Sequence, residues 1–203
     1  MFSDCFVLTS IDISYFNTAN VEDTHELFSA CTKIKYLNLT NFKTSKVKNM
    51  DSMFYNCRSL KSLDLSNFDT SKVTSMRKMF DFCYLLEKID LSNFDTSKVN
   101  DMSYMFAICP KLKILNLSNF NTENVKNLQN MFYGDSSLVN IDLFSFNTSN
   151  LIYIDRLFYG CSSLTSLNIS NFDTSKVLSL KGVFSHCNNL VNIDIRNSFL
   201  PNI

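Results

Sequence analysis

Residues 57–82 read CRSLKSLDLSNFDTSKVTSMRKMFDF, and moving the frame by 26 residues returns close copies of this stretch along the chain. All seven cysteines fall on one phase of that period, at Cys5, Cys31, Cys57, Cys83, Cys109, Cys161 and Cys187, with Asp135 as the one break. One phenylalanine column runs through Phe2, Phe28, Phe54, Phe80, Phe106, Phe132, Phe158 and Phe184, and a second through Phe16, Phe42, Phe68, Phe94, Phe120, Phe146 and Phe172. Self-similarity at a period of about 20 to 50 residues marks a solenoid, in which neighbouring coils bury a shared core. A residue repeated in every coil is therefore expected to hold the coils together. Function is expected in the faces and in the exceptions.

Within the unit, Leu63 and Leu65 alternate with Ser62, Asp64 and Ser66, the period-two pattern of a short strand. Equivalent pairs, from Leu37/Leu39 through Ile141/Leu143 to Ile193/Ile195, are expected to stack as a parallel sheet. Asn67-Phe68-Asp69-Thr70 reads as a turn whose polar side chains bond nearby backbone, and the threonine column from Thr18 to Thr174 reads as hydrogen bonding at that corner. In the second half Val73, Met76, Met79/Phe80 and Cys83 recur every three to four residues, as on one helix face. Asp23, Asn49, Ser75, Asp101, Asn127 and Ser179 precede that face and are preferred N-cap types. Asn56, Gly134 and Gly160 read as stops. The spacing predicts a helix of about two turns from residue 76 to about 82, too short to stand alone.

Nineteen basic and nineteen acidic side chains cancel, so no net field draws nucleic acid or anionic lipid. No apolar run reaches the length of about 18 residues that spans a membrane. Residues 1–10, MFSDCFVLTS, lack the basic segment and apolar stretch of a signal peptide. Met1-Phe2 is already in phase with Met53-Phe54, so the chain begins inside a repeat, as an excerpt of a longer protein or as an uncapped solenoid. Beyond Ile195 the phase slips: Ser198 takes the phenylalanine position, Phe199 follows one place late, and Leu200-Pro201 ends the pattern as a crude cap or a truncation. Open ends expose core and sheet edges, so end-to-end self-association is expected.

The cysteines are never closer than 26 residues, unlike the close pairs that ligate metal. Equivalent residues of stacked strands lie about 4.8 Å apart and point the same way. A disulfide needs converging Cβ atoms about 3.5–4.5 Å apart. That geometry favours a buried, reduced thiol ladder over bridges or metal. No glycine-rich phosphate loop, nucleophile elbow or histidine–carboxylate motif is present, and repeated rungs are poor at building a unique reactive site. No enzyme and no cofactor are expected.

The string C-x-x-L-x-x-L-x-L-x-x-F at residues 57–68 is a leucine-rich repeat skeleton. The full unit SLKSLDLSNFDTSKVTSMRKMFDFC resembles the BspA-like leucine-rich repeats of bacterial surface proteins, found in mycoplasmas and in gut or oral bacteria, over essentially the whole chain. It departs from ordinary leucine-rich repeats at Phe68, where Asn or Cys is usual and where Asn67 stands one residue early. The usual asparagine ladder is therefore not expected to carry over. The reading is an α/β, right-handed leucine-rich-repeat solenoid of about eight coils and a single domain over 1–203, with a parallel sheet on one face and short helices on the other. The resemblance implies a curved solenoid at the cell surface, extracellular, that recognises or adheres to a protein ligand such as a host surface or matrix protein. The alternative, from another class, is a structural spacer or cytoplasmic scaffold with no dedicated ligand.

Candidate binding residues lie on the outward strand face. Its acidic-amide column, Asp12, Asn38, Asp64, Asp90, Asn116, Asp142, Asn168 and Asp194, reads as a solvated face or as a polar stripe for a partner or cation, though no Asp-rich calcium loop is present. The lysines at Lys46, Lys72, Lys98 and Lys176 read as balancing Asp69, Asp95 and Asp173. Between residues 123 and 161 the pattern loosens, and Phe144 replaces the serine seen at Ser66, Ser92, Ser118 and Ser170. Ile114 and Tyr36 are two further apolar residues on that face. Since aromatic residues dominate interface hot spots, the candidate partner site is Phe144 and Ile114 with Asn140, Asp142 and Tyr36.

Overall fold

The computed structural model describes residues 1–196. The expected break at Ser198, Phe199 and Leu200-Pro201 lies outside the described residues. One continuous core of Leu, Phe, Met, Val and Cys side chains runs from Ile13 to Val183. Coils bond to one another on both of its flanks.

On the leucine flank, strands β1 (Ser62–Leu63) and β2 (Lys88–Ile89) pair in parallel, with Ser62 opposite Lys88. Strands β3 (Ser166–Asn168) and β4 (Asn192–Asp194) pair likewise, with Ser166 opposite Asn192. The continuous sheet expected from the alternation is thus reduced to two short pieces. One reason is the acidic-amide column. In each coil its Oδ1 accepts the backbone N–H two residues on, as from Ser66 to Asp64 at 3.0 Å, Ser118 to Asn116 at 3.1 Å and Ser170 to Asn168 at 2.9 Å. This local turn takes the amide that would extend the ladder. The column is a strand terminator rather than a free stripe.

The opposite flank corrects the expectation of helices: among the described residues there are none. Met76, Lys78, Phe80 and Phe82 donate their N–H groups to the carbonyls of Asp101, Ser103, Met105 and Ala107 in the next coil, at 3.0, 2.9, 2.9 and 2.9 Å. The residues between them turn inward: Met79, Asp81 and Cys83 donate to the carbonyls of Met76, Lys78 and Phe80, each at 3.2 Å. An α-helix would bond every amide to the fourth residue back and leave none for a neighbouring coil. The chain instead makes successive turns. Lys78 (φ 57) and Phe82 (φ 63) stand at the third position of such turns with left-handed backbone, as a type II turn demands. Every positive-φ residue among the described ones falls in these two columns, and so do all three glycines, Gly134, Gly160 and Gly182.

The residues expected to cap helices make the predicted bond in another setting. Asp23, Asn49, Asp101 and Asn127 accept the N–H two residues on at 2.8, 2.9, 2.8 and 3.0 Å. Each opens a turn, and the column pairs coil to coil as parallel bridges from Asp23 to Tyr153. Beneath these turns the first phenylalanine column stacks in parallel, for example Phe28 on Phe54 at 5.8 Å and Phe54 on Phe80 at 5.7 Å between ring centroids.

The corners behave as the threonine column suggested. Thr70 Oγ1 donates to the Asp95 carbonyl at 2.9 Å and accepts the Asp95 N–H at 2.8 Å, and Thr96 does the same with Asn121. An asparagine ladder is present after all, displaced by one residue. Asn67 Nδ2 donates to the carbonyls of Leu39 and Phe42, both at 2.9 Å, and Asn93, Asn119 and Asn171 repeat the pattern. Lys46 and Lys176 hydrogen-bond Asn20 and Asn150 of the preceding coil, at 2.7 and 3.1 Å, while serine hydrogen bonds, joined by the charges of Lys72, Lys98 and Lys176, hold Asp69, Asp95 and Asp173 below the usual carboxylate range.

Each thiol from Cys31 onward donates to the phenylalanine carbonyl 29 residues earlier, as from Cys57 to Phe28 at 3.2 Å, Cys83 to Phe54 at 3.3 Å, Cys109 to Phe80 at 3.2 Å and Cys161 to Phe132 at 3.0 Å. Burial pushes the Cys31 thiol up to about 11 and Cys83 to about 12, so neither is a thiolate at neutral pH. Asp135 replaces the thiol in one coil and is buried with the others. Its Oδ1 accepts the Cys109 N–H at 2.7 Å, while Oδ2 is unpartnered. Burial holds the carboxyl well above the usual carboxylate range.

A thiol reagent at pH 8 should label Cys5 and Cys187 in the native protein and spare Cys31, Cys57, Cys83, Cys109 and Cys161, all seven reacting after unfolding; equal native labelling of the buried five, read by mass spectrometry, contradicts the ladder. The raised pKa of Asp135 means the folded chain keeps a proton that the unfolded chain releases above about pH 4, so this group's contribution to stability falls as pH rises from there. Asp135→Cys should therefore stabilise the protein at pH 7 by about 1–3 kcal/mol in urea unfolding. The gain should shrink toward pH 4, and a pH-independent or negative change contradicts a carboxyl whose pKa burial raises.

Candidate functional site

The strand flank carries the five residues singled out from the sequence. Phe144, Ile114 and Tyr36 are 81%, 80% and 68% exposed, at outward positions where the other coils carry mostly short polar or charged side chains. Ile114 and Asn140 occupy the same column in adjacent coils, one residue-pair before Asn116 and Asp142. Asp142 Oδ1 accepts the Phe144 N–H at 2.9 Å, so it fixes the backbone that presents the ring. Tyr36 shares the column of Ile114 but stands three coils away, which separates it from the rest by roughly 14 Å at the usual strand spacing. Ile114 and Asn140 are thus column neighbours, Asp142 and Phe144 follow Asn140 on the same strand flank, and Tyr36 lies apart.

Two hollows border this group. Ile114 lines one of about 760 Å³ together with Lys88, Lys111, Lys113 and Glu87. Asn140 and Asp142 line another of about 590 Å³ with Asn168, Asn192 and Asp194. The exposed carboxylates of Asp64 and Asp90 lie below the usual range because the backbone N–H groups of Ser66 and Ser92, then their hydroxyls, bond the charged form. Among the described residues no three carboxylate, thiol or imidazole groups converge as a metal-ligand set. Among them, too, no helix is long and apolar enough to cross a membrane.

The turn flank holds a second feature, which reading the sequence by its repeats passed over. A cleft of about 530 Å³ opens there, with Asp81, Ala107 and Asn130 among its lining residues and Tyr104 and Tyr133 beside them. The signal for it was a missing ring: the column reads Tyr55, Asp81, Ala107, Tyr133 and Tyr159, and Tyr133 stacks on Tyr159 at 4.8 Å. Asp81 is buried, and burial pushes its carboxyl up to about 7 against the opposing pull of Lys78.

A leucine-rich repeat protein from Bacteroides ovatus is similar to this chain over 92% of its length, at 20% identity and a TM-score of 0.56, and the chain spans 41% of that protein. A leucine rich cell surface protein from Faecalibacterium prausnitzii is similar over 95% of this chain and 74% of its own, at 16% identity and a TM-score of 0.30. No curated protein matches the chain. The first likeness shows the fold to be a leucine-rich-repeat solenoid. A family described as "Mycoplasma protein of unknown function, DUF285" matches residues 1–114 and again residues 82–198. Matched across nearly its whole length, the chain belongs to that family of BspA-like, mycoplasma-type repeat proteins.

Proposed function

We propose that this chain is a non-catalytic protein-recognition module of a bacterial cell-surface protein, which docks its ligand on the strand flank around Phe144 and Ile114. The observation that carries this reading is the placement of large, exposed apolar side chains at positions that other coils fill mostly with short polar residues. Repetition explains every buried column, and it does not explain these. Phe144 stands on a backbone pinned by Asp142, so its ring is presented at little further ordering cost. Ile114 rises beside a hollow whose rim carries Lys88, Lys111 and Lys113, an apolar contact framed by positive charge. Central apolar anchors with a polar rim are the usual anatomy of a recognition surface. Membership of a leucine-rich repeat family, whose fold commonly mediates protein interaction, supports the same reading. A host surface or matrix protein is the class of ligand proposed.

The test is a binding screen of the purified chain against host surface and matrix proteins, followed by titration of any ligand with the wild type, Phe144→Ala and Ile114→Ser. Each substitution should weaken binding about tenfold or more while leaving the urea midpoint in place. Affinity unchanged in both variants contradicts recognition by this flank and leaves the spacer reading in its stead.

A further inference from the structure

The cleft on the turn flank has properties that repeat packing does not account for. Its column reads Ser3, Ser29, Tyr55, Asp81, Ala107, Tyr133, Tyr159 and Ser185, so Asp81 and Ala107 stand between the ring of Tyr55 and those of Tyr133 and Tyr159. The cleft that opens beside them is lined by Tyr133 and Tyr104. At about 530 Å³ the volume falls within the range of small-molecule sites, about 300–1,000 Å³.

Two buried polar atoms lining this cleft have no partner, Asp81 Oδ1 and Asn130 Nδ2, on residues each only 2% exposed. Buried polar groups are almost always bonded, because an orphaned one forfeits its hydration without return. Two in a single cleft, one amide donor and one carboxyl, are a pair awaiting a ligand that both accepts and donates. Charge supplies the second requirement. Arg77, Lys78 and Arg156 line the same cleft, and among the described residues none of the three is in an ion pair. Lys78 Nζ is held over the rings of Tyr55 and Tyr104, at 5.7 and 5.4 Å from their centroids. Asp81, whose carboxyl burial pushes up to about 7, offsets this positive charge only in part near neutral pH.

These requirements select among ligands. A phenyl or phenol side chain would fill the gap but leave Asp81 and Asn130 largely unsatisfied. A phosphopeptide would use the cations and set its dianion near the Asp81 carboxyl. A sugar ring meets all three demands: its C–H face packs on tyrosine, its hydroxyls bond a carboxyl and an amide together, and a ring carboxylate answers the arginines. We propose that this cleft binds an acidic saccharide, with Asn130 and Asp81 bonding its hydroxyls, Tyr133 taking its ring face, and Arg156 and Arg77 receiving its carboxylate. The site is independent of the strand-flank surface and lies on the opposite side of the coils.

Calorimetric titration with a hyaluronan tetrasaccharide, with sialyllactose and with neutral lactose tests this assignment. Binding by either acidic sugar, with lactose at least about tenfold weaker, is the expected result, and the arm that binds identifies the source as a uronate or a sialoside. Ala107→Tyr, which supplies the ring that Tyr133 provides in the next coil, should abolish binding in protein whose folding is checked by its urea transition. Arg156→Gln, an exposed change that leaves the core untouched, should weaken the acidic sugar by about tenfold and lactose little. Phe144→Ala should leave sugar binding unchanged, so that failure here is distinguishable from failure of the strand-flank reading. Neither acidic sugar binding at millimolar concentration, lactose binding equally, or full affinity in Arg156→Gln overturns the proposal.

Discussion

The fold depends on the amides that one coil donates to the next along its turn flank. Met76, Lys78, Phe80 and Phe82 spend every second N–H on the neighbouring coil, and the intervening residues close turns within their own. This division sets the period, because the same four positions must meet the same four carbonyls in every coil. It requires left-handed backbone at two positions per coil, a conformation that L-residues adopt at a cost of about 1 kcal/mol. Twelve non-glycine residues accept it among the described ones, including the β-branched Ile108. Such strain persists where the surroundings over-determine it. Here they do, through the stacked phenylalanines beneath and the thiols that bond their carbonyls.

Much of this was legible in the sequence. The buried columns, the thiol ladder and the threonine corners follow from strict repetition, because only packing demands the same residue in every coil. The helix was misread for a physical reason. Asp101 or Asn49 accepting an N–H two residues on is the bond an N-cap makes, and it is equally the bond of a turn that leads nowhere helical. Spacing of three to four residues likewise describes Met76, Phe80 and Cys83 pointing inward from successive turns. The stronger signal was in the glycines. All three fall in the positive-φ columns, a place for left-handed turns rather than for helix interiors. The asparagine ladder at Asn67 was also obscured, since a one-residue offset from the ordinary repeat conceals a function that geometry preserves.

Candidate binding features lie where repetition fails, and they differ in how they show themselves. Phe144 and Ile114 are additions, large groups where neighbours are mostly small or polar, and reading the columns finds them. The turn-flank cleft is a subtraction. Ala107 is an ordinary residue in the sequence, and the cleft it lines with the buried, partly unpartnered Asp81 and Asn130 is visible only in the fold. Asp135 is a third kind of break, a carboxyl in a thiol position that the coil absorbs by turning the Cys109 amide toward it. A solenoid thus separates its roles: columns maintain the scaffold, and departures from them are free to face a ligand.

Turns rather than helices stand opposite the strands, and Gly182 offers the sharpest measurement of that difference. Its φ of 66 places it in the left-handed column, equivalent to Lys78 in the middle of the segment where a helix was expected. The nearest atoms an added Cβ would meet are all side-chain atoms: Arg156 Cγ at 3.3 Å, Ser185 Oγ at 3.4 Å and Tyr159 Cδ2 at 3.7 Å. In a helix interior, alanine for glycine stabilises by about 1 kcal/mol. In a left-handed turn it destabilises by about that amount or more. The urea unfolding free energy of Gly182→Ala should therefore fall by about 1 kcal/mol or more relative to the wild type; a rise of similar size would contradict the turn stack.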